Sequence, residues 1–129
     1  MANPEKVKHN AHKNYRAYKE RHPFRNAIKI SHCSALKYRV LSTLTEQEWQ
    51  KIAEDAKFIC HICGRKAEVG WVAHPRALRL AHIVPLSRGG TNTKDNVLPA
   101  CALCNQSKTN MLMAEFQDWI KIVFNNFKK

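Results

Sequence analysis

Residues 78–108 read LRLAHIVPLSRGGTNTKDNVLPACALCNQSK, and their pattern predicts the centre of the fold. The first seven residues alternate between two faces, which predicts a β-strand that carries His82. The glycine pair in the middle predicts a loop that another part of the backbone approaches closely. Residues 96–99 predict a second short strand, and the run 104–108, which has no helix breaker, predicts a helix. The predicted order is therefore strand, loop, strand, helix.

Helices are predicted on both sides of this stretch. Thr45 is followed three places later by Glu48, a capping box that predicts a helix beginning at Glu46. A final helix is predicted from Glu115 onward, because its apolar residues recur at helical spacing. These residues are Phe116, Trp119, Ile120, Val123, Phe124 and Phe127. We interpret them as a face that packs in the core or forms a dimer.

Four of the five cysteines form two C-x-x-C pairs. The first pair is Cys60 and Cys63, the second is Cys101 and Cys104, and Cys33 stands alone. A gap of two residues lets a chain segment wrap a tetrahedral ion, so two such pairs predict a four-thiolate zinc site. Two disulfides are the alternative. Because the first residues lack the apolar stretch of a secretory signal, we expect reduced cysteines in a cytoplasm.

The chain has 129 residues and a formal net charge of +12 at pH 7. This length predicts one compact domain with an arm and excludes a two-domain enzyme. No apolar run reaches the roughly 18 to 20 residues of a membrane span, so we expect a soluble protein. We divide the chain into a basic arm, residues 1–43, and a folded domain, residues 44–129.

The positive charge is concentrated at the start of the chain. Residues 1–40 contain ten Lys and Arg against two acidic residues. They predict a helix between His9 and Glu20 that Pro23 ends, and a second helix from Ala27 to Lys37. Cations interleaved with Tyr, His and Asn favour nucleic acid as the partner, and a solvated basic tail is the alternative. The arm residues expected to contact nucleic acid are Lys13, Arg16, Lys19, Arg21 and Arg25.

The central stretch also carries residues suited to phosphodiester cleavage. That reaction needs a base to activate water, a divalent ion to neutralise the phosphate, and a group that orients the base. His82 on a rigid strand is the candidate base, Asn105 can ligate a hard cation through its amide oxygen, and Asn96 can fix the loop or the imidazole. One histidine on a β-strand is more often structural, so the combination of this histidine with the two asparagines is what favours catalysis.

This string of residues resembles the HNH endonuclease family of the ββα-metal superfamily, particularly its four-cysteine type from phages and prophages. The resemblance runs from about Leu44 to Ile120. It implies a small α+β fold in which the four paired cysteines hold a structural zinc. It also implies that His82 is the general base, that Asn96 positions it, and that Asn105 binds a catalytic Mg²⁺ or another divalent ion.

The resemblance further implies that the partner is DNA, in the cytoplasm of a bacterium or of a phage-infected host cell. Lys108 would lie on the same helix as Asn105 and contact phosphate. Arg88 and Lys94, together with the basic arm, would hold the DNA backbone.

One position departs from the family pattern. Where most members have an Asp or Glu that binds the catalytic ion, this chain has Ala81. A methyl group cannot ligate a metal, and Mg²⁺ normally binds at least one carboxylate. Three explanations are open: a variant engineered to trap DNA, a substitute carboxylate such as Asp95, or a fold kept for binding without cleavage. The sequence therefore predicts a metal-dependent DNA endonuclease impaired at Ala81, with a catalytically silent, zinc-stabilised DNA-binding module as the alternative.

Overall fold

Two antiparallel strands and the helix that follows them form the centre of the fold. The computed structural model describes residues 14–70 and 73–128. Strand β1 is Leu78–His82 and strand β2 is Val97–Cys101, and the two pair with each other. The helices are α1 (described over residues 14–21), α2 (Pro23–Tyr38), α3 (Glu46–Asp55), α4 (Ala102–Lys108) and α5 (Met113–Phe127). The order β1, β2, α4 confirms the expected small α+β fold of the ββα-metal type.

The loop between the two strands is closed by one asparagine side chain. Asn96 Oδ1 accepts a hydrogen bond from the Val84 N–H at 2.9 Å. Asn96 Nδ2 donates to the carbonyl oxygens of Val84 and Thr91 at 3.0 and 2.8 Å. A Cβ on Gly90 would lie 1.9 Å from the Val84 carbonyl oxygen, so this close approach requires glycine. Asn96 therefore fixes the loop, which is one of the two roles expected for it.

Helix α3 begins where its capping box predicts. The Glu48 N–H donates to Thr45 Oγ1 at 3.1 Å, and the Thr45 N–H donates to the Glu48 carboxylate at 3.0 Å. Leu44, just before the cap, and Trp49, inside the helix, are buried and pack together with Val97 of β2. This apolar cluster holds α3 against the sheet.

Helix α2 belongs to the same core. Its residues Phe24, Ala27 and Ile28 pack against the cluster formed by α3 and β2. The segment with the highest positive charge therefore also contributes apolar side chains to the interior. The predicted division of the chain at residue 43 follows charge rather than packing, and it stays a prediction.

Pro23 lies between α1 and α2. Helix α1 ends at residue 21, as expected from the proline, and Pro23 then occupies the first turn of α2. The fixed φ of proline suits a first helical turn, where no N–H is needed for the helix. For this reason α2 begins before Ala27, the start that the sequence predicts. The predicted helical residues 9–13 lie outside the described residues.

Helix α5 presents most of its apolar side chains to solvent. Phe116 is buried. The large apolar side chains that are exposed are Trp119, Ile120, Ile122, Phe124 and Phe127. The expectation of a core-packing face is therefore right for Phe116 and wrong for most of the helix, which extends from the domain beyond its first turn. A dimer-forming face stays a prediction. Within the described residues, no helix has the length and apolar character needed to cross a membrane.

Candidate functional site

The four paired cysteines meet in one cluster. Cys60 and Cys63 follow α3, Cys101 ends β2, and Cys104 lies in the first turn of α4. Their Sγ atoms all lie within 4.8 Å of one another, and Cys63 Sγ is 3.9 Å from Cys101 Sγ. A tetrahedral zinc at about 2.3 Å from each sulfur separates the sulfurs by about 3.8 Å. The cluster therefore fits zinc, and none of its four thiols forms the alternative disulfides.

Hydrogen-bond donors approach two of these sulfurs. The Ile62 N–H donates to Cys60 Sγ at 3.4 Å, and Arg65 Nε donates to Cys63 Sγ at 3.5 Å. Burial raises the pKa of the Cys63 thiol, but the hydrogen bonds from Arg65, together with those involving Cys60 and Cys104, lower this pKa to about 6. Burial raises the pKa of Cys104, and a divalent cation supplies the opposite charge that keeps such a thiol ionised. These surroundings favour thiolate ligation of a metal.

Ala81 packs against the cysteine cluster. It is 2% exposed and lies in an apolar group with Cys60, Ala100 and Cys101. Because side chains alternate along a strand, the next residue, His82, points to the other face of β1. Position 81 offers no ligand for a cation, and a carboxylate there would be removed from water beside the buried cysteines Cys60 and Cys101.

His82 is the last residue of β1, and its ring is half-buried. Its Nε2 lies 2.9 Å from Asn92 Oδ1, and its backbone carbonyl accepts a hydrogen bond from Lys108 Nζ at 3.4 Å. Burial lowers the pKa of His82, the positive charge of Lys108 lowers it further, and the hydrogen bond to Asn92 acts in the opposite direction. The imidazole is therefore neutral at pH 7 and able to accept a proton.

His82 and Asn105 line one open cavity of about 450 Å³. Helix α1 contributes Lys19 to the lining, and helix α2 contributes Asn26. The candidate base and the candidate metal-ligating amide are therefore presented to the same space. Asn96 is not among the described residues that line this cavity, since its side chain is occupied within the neighbouring loop.

Two of the predicted arm cations form exposed ion pairs. Arg16 Nε lies 3.3 Å from Glu20 Oε1, and Arg25 Nε lies 3.6 Å from Glu46 Oε2. Exposed pairs of this kind contribute about 0 to 1 kcal/mol, so they leave both arginines available to a phosphate. Lys19 lies closer to the candidate site than either, because it lines the cavity.

The other predicted cations lie around the domain. Arg88 forms an ion pair with Glu115 at the start of α5, and both side chains are partly exposed. Lys94 and Arg21 are exposed as well. Lys13 lies outside the described residues. Exposure makes Arg88, Lys94 and Arg21 accessible to DNA, and their contact with it stays a prediction.

Lys108 differs from the other cations because it is buried, with 3% of its surface exposed. Its Nζ faces the backbone carbonyl of His82, and burial lowers its pKa. The ammonium group therefore braces the end of β1 and places a positive charge beside the imidazole. Its expected contact with phosphate stays a prediction.

Asn92 is a residue of this site that the sequence did not single out. It is fully buried, and its side chain forms hydrogen bonds with His82, Ser31 and Ser42. Because Ser31 belongs to α2, Asn92 connects the candidate base to the N-terminal part of the fold. The one sequence signal for Asn92 is its position two residues after the glycine pair. No local pattern distinguishes it from the other asparagines of residues 78–108, Asn96 and Asn105.

Comparison with known proteins agrees with this geometry. Residues 60–111 match the model of the HNH endonuclease family. The matched segment contains both cysteine pairs, the hairpin and α4, and it is shorter than the resemblance expected from Leu44 to Ile120. A search of curated proteins found no significant match. Residues 60–111 of the chain are thus similar to the HNH endonuclease family, and four cysteines come together there as in a zinc site.

Proposed function

We propose that this protein is an HNH-type endonuclease that hydrolyses or nicks DNA, with His82 as its general base. The observation that carries the proposal is the shared cavity, where a neutral imidazole and the Asn105 amide face the same space. Both residues lie in the segment that matches the HNH endonuclease model. HNH family members act on DNA, which is why we take DNA as the substrate.

His82 would act on a water molecule in the cavity. Its unprotonated ring nitrogen takes a proton from the water while the water oxygen forms a bond to phosphorus. The bond between phosphorus and the leaving sugar oxygen breaks, and that oxygen takes a proton from solvent. Burial supports this role because it keeps the imidazole unprotonated at pH 7.

A divalent ion such as Mg²⁺, when bound, would offset the negative charge of the phosphate. Asn105 would hold it through the amide oxygen, whereas Ala81 supplies no ligand. Asp95, the substitute carboxylate considered above, is exposed and is not among the described residues that line the cavity. Among the residues described, the four cysteines are the one group of three or more side chains suited to a metal. We therefore expect weak binding of the second ion and slow cleavage.

The alternative function is a zinc-stabilised DNA-binding module that does not cut. Buried Ala81 favours it, because position 81 cannot hold a catalytic ion. Zinc, the basic residues and the hairpin would serve binding equally well in this case. Either function fits a bacterial cytoplasm or a phage-infected host cell, where reduced cysteines can hold zinc.

The experiment that separates the two functions combines nicking with binding. Supercoiled plasmid is incubated with the zinc-loaded protein and with Mg²⁺, Mn²⁺ or Ni²⁺. The proteins compared are the wild type, His82→Ala, and His74→Ala as a matched control, since His74 does not line the cavity. Conversion of the plasmid to nicked circles measures cleavage, and a gel shift measures binding.

We expect the wild type and His74→Ala to nick the plasmid, and His82→Ala to nick it about 100-fold more slowly or worse. Binding of DNA by all three proteins without nicking, in every ion, would support the binding module instead. Nicking that persists at the wild-type rate in His82→Ala would exclude His82 as the base.

A further inference from the structure

We propose that Asn92 is a positioning residue that sets the tautomer of His82. Asn92 holds the Nε2–H of the imidazole and thereby leaves Nδ1 as the nitrogen that accepts a proton. The catalytic meaning of this inference rests on the proposed nuclease function, whereas the tautomer itself is a property of the free protein. The evidence is a hydrogen-bond network in which Asn92 contacts Ser31, Ser42 and His82, and His32 contacts Ser42.

The backbone of Asn92 is fixed from both sides. Its N–H donates to the Leu41 carbonyl at 2.8 Å, and its carbonyl accepts from the Thr43 and Leu44 N–H groups at 3.0 and 3.1 Å. The residue is 0% exposed. The backbone therefore fixes the position of the side chain, and the orientation of its amide oxygen and nitrogen is set by the groups around it.

Ser31 in α2 determines which atom of the Asn92 amide faces it. Its hydroxyl donates to the Ile28 carbonyl at 2.8 Å, and a carbonyl oxygen can only accept. The single hydroxyl proton is thus used, so Ser31 Oγ acts as an acceptor toward Asn92. The atom of Asn92 that lies 3.0 Å from Ser31 Oγ must then be Nδ2, a donor.

His32 and Ser42 determine where the second N–H of the Asn92 amide is directed. His32 Nε2 lies 2.8 Å from the Leu44 carbonyl oxygen, so this nitrogen carries a proton. In the neutral ring His32 Nδ1 is then an acceptor, and it takes the hydroxyl proton of Ser42. Ser42 Oγ therefore accepts the second N–H of Asn92 Nδ2, at 3.1 Å.

Both N–H groups of the Asn92 amide are consequently directed away from His82. The amide oxygen is left to face His82 Nε2 at 2.9 Å, and an oxygen acceptor requires a proton on that nitrogen. A neutral imidazole has one N–H, so Nδ1 carries the lone pair. Because His82 lines the cavity, this is the nitrogen available to a water molecule there. Helix α2 therefore influences the proposed base through Ser31 and Asn92.

Other ionisable groups also surround His82. Lys108 approaches from α4, His32 of α2 belongs to the same hydrogen-bond network, and the cavity is lined by Lys19, Glu68 and Arg79. These groups are the same in every variant described below. A change that follows substitution of Asn92 alone can therefore be assigned to Asn92.

The first test reads the tautomer directly and needs no cleavage. The full zinc-loaded chain, labelled with nitrogen-15 in histidine, is studied by long-range proton–nitrogen correlation at a pH where His82 is neutral. We expect a proton on His82 Nε2 and a bare Nδ1. A proton on Nδ1 in the wild-type protein would overturn the proposal without any variant.

The second test uses substitutions of Asn92. In Asn92→Ala we expect a mixture of tautomers and about tenfold slower nicking at unchanged DNA affinity, the effect of removing one hydrogen bond. Asn92→Asp should keep the single tautomer, because a carboxylate oxygen accepts the same N–H. Its negative charge should raise the pKa of His82, so the rate profile moves to higher pH. Asn125→Ala, an exposed asparagine on α5, is the matched control.

Folded, zinc-loaded Asn92→Ala with the wild-type tautomer and rate would refute the role of Asn92. If Asn92→Ala does not fold, the wild-type tautomer and the pH profile of Asn92→Asp decide the question. If the wild-type protein has the expected tautomer but does not nick DNA, the proposed function is refuted and the inference about the His82 tautomer stands. Nicking by a protein with Nδ1 protonated would refute the inference and leave the function standing.

Discussion

Replacing Gly90 with alanine should destabilise the protein more than the same change at its neighbour Gly89. A Cβ on Gly90 would lie 1.9 Å from the Val84 carbonyl oxygen, 2.7 Å from the Val84 carbonyl carbon and 2.9 Å from the Pro85 carbonyl oxygen. All three are backbone atoms, which cannot rotate aside as a flexible side chain can. The loop must therefore shift, and the Val84 carbonyl is one of the groups through which Asn96 closes it.

The expected cost follows from these close approaches. Inserting a methyl group into a packed region costs about 1 to 3 kcal/mol. Weakening one buried hydrogen bond adds about 1 kcal/mol, so we expect Gly90→Ala to lower the free energy of unfolding by about 2 to 4 kcal/mol. Gly89 has a φ of 88°, and a Cβ added there meets no atom within 4 Å. Gly89→Ala should therefore cost only its backbone strain, about 1 to 2 kcal/mol.

Urea unfolding of the zinc-loaded proteins at one fixed zinc concentration measures both costs. With a slope of about 2 kcal/mol per molar urea, Gly90→Ala should move the midpoint down by about 1 to 2 M. The loop also carries Asn92, so we expect nicking to slow in the same variant. A Gly90→Ala midpoint equal to that of the wild type, or a larger loss of stability in Gly89→Ala, would contradict the close approach of Gly90 to the Val84 carbonyl.

Three further predictions follow from the site. Ala81→Asp should lower the melting temperature of the zinc-loaded protein, because its carboxylate would be buried beside the cysteine cluster; an unchanged melting temperature would contradict the burial of position 81. The nicking rate should rise with pH and reach half its maximum below pH 6.5, because the base must be unprotonated and burial lowers the pKa of His82 from 6.5; a half-maximal rate above pH 6.5 would contradict this. The last prediction concerns three cations of α1, Arg16, Lys19 and Arg21. Replacing them by Gln should reduce the slope of log affinity against log salt concentration by about 0.9 for each phosphate that the protein no longer neutralises. Lys121→Gln on α5 is the control, and an unchanged slope would exclude these three residues from DNA binding.

Substitution is the sharper test of the basic arm, because truncation would also damage the core. Removing residues 1–40 would remove Phe24, Ala27 and Ile28, which pack against the central apolar cluster. A truncated protein that fails to bind DNA would not distinguish the removal of charge from the removal of structure. Neutral replacements in α1 change the charge and leave α2 in place.

The parts of the fold that local signals determine could be predicted from the sequence. The capping box of Thr45 and Glu48 depends on residues three places apart, and it forms as expected. The alternation around His82 depends on the two-residue period of a strand, and β1 forms there. The cysteine pairs required one additional step, because each C-x-x-C spacing is local and only the fold brings the two pairs together.

The features that local signals did not reveal depend on interactions between distant segments. Asn92 acts through Ser31 and Ser42, which are far from it in the sequence, so no spacing rule could identify it. Lys108 is buried and its ammonium faces the backbone carbonyl of His82, which depends on how α4 packs against β1; its contact with phosphate stays a prediction. The stripe on α5 has the spacing of a core helix, and its exposure depends on where the rest of the chain packs.

His82 is the proposed general base of a DNA-cleaving site. Single-turnover nicking of fully bound plasmid by the zinc-loaded wild type and by His82→Ala tests this role most directly. We expect His82→Ala to bind DNA with the wild-type Kd and to nick it at least about 100-fold more slowly. Equal nicking rates for the two proteins, at equal binding, would contradict this role.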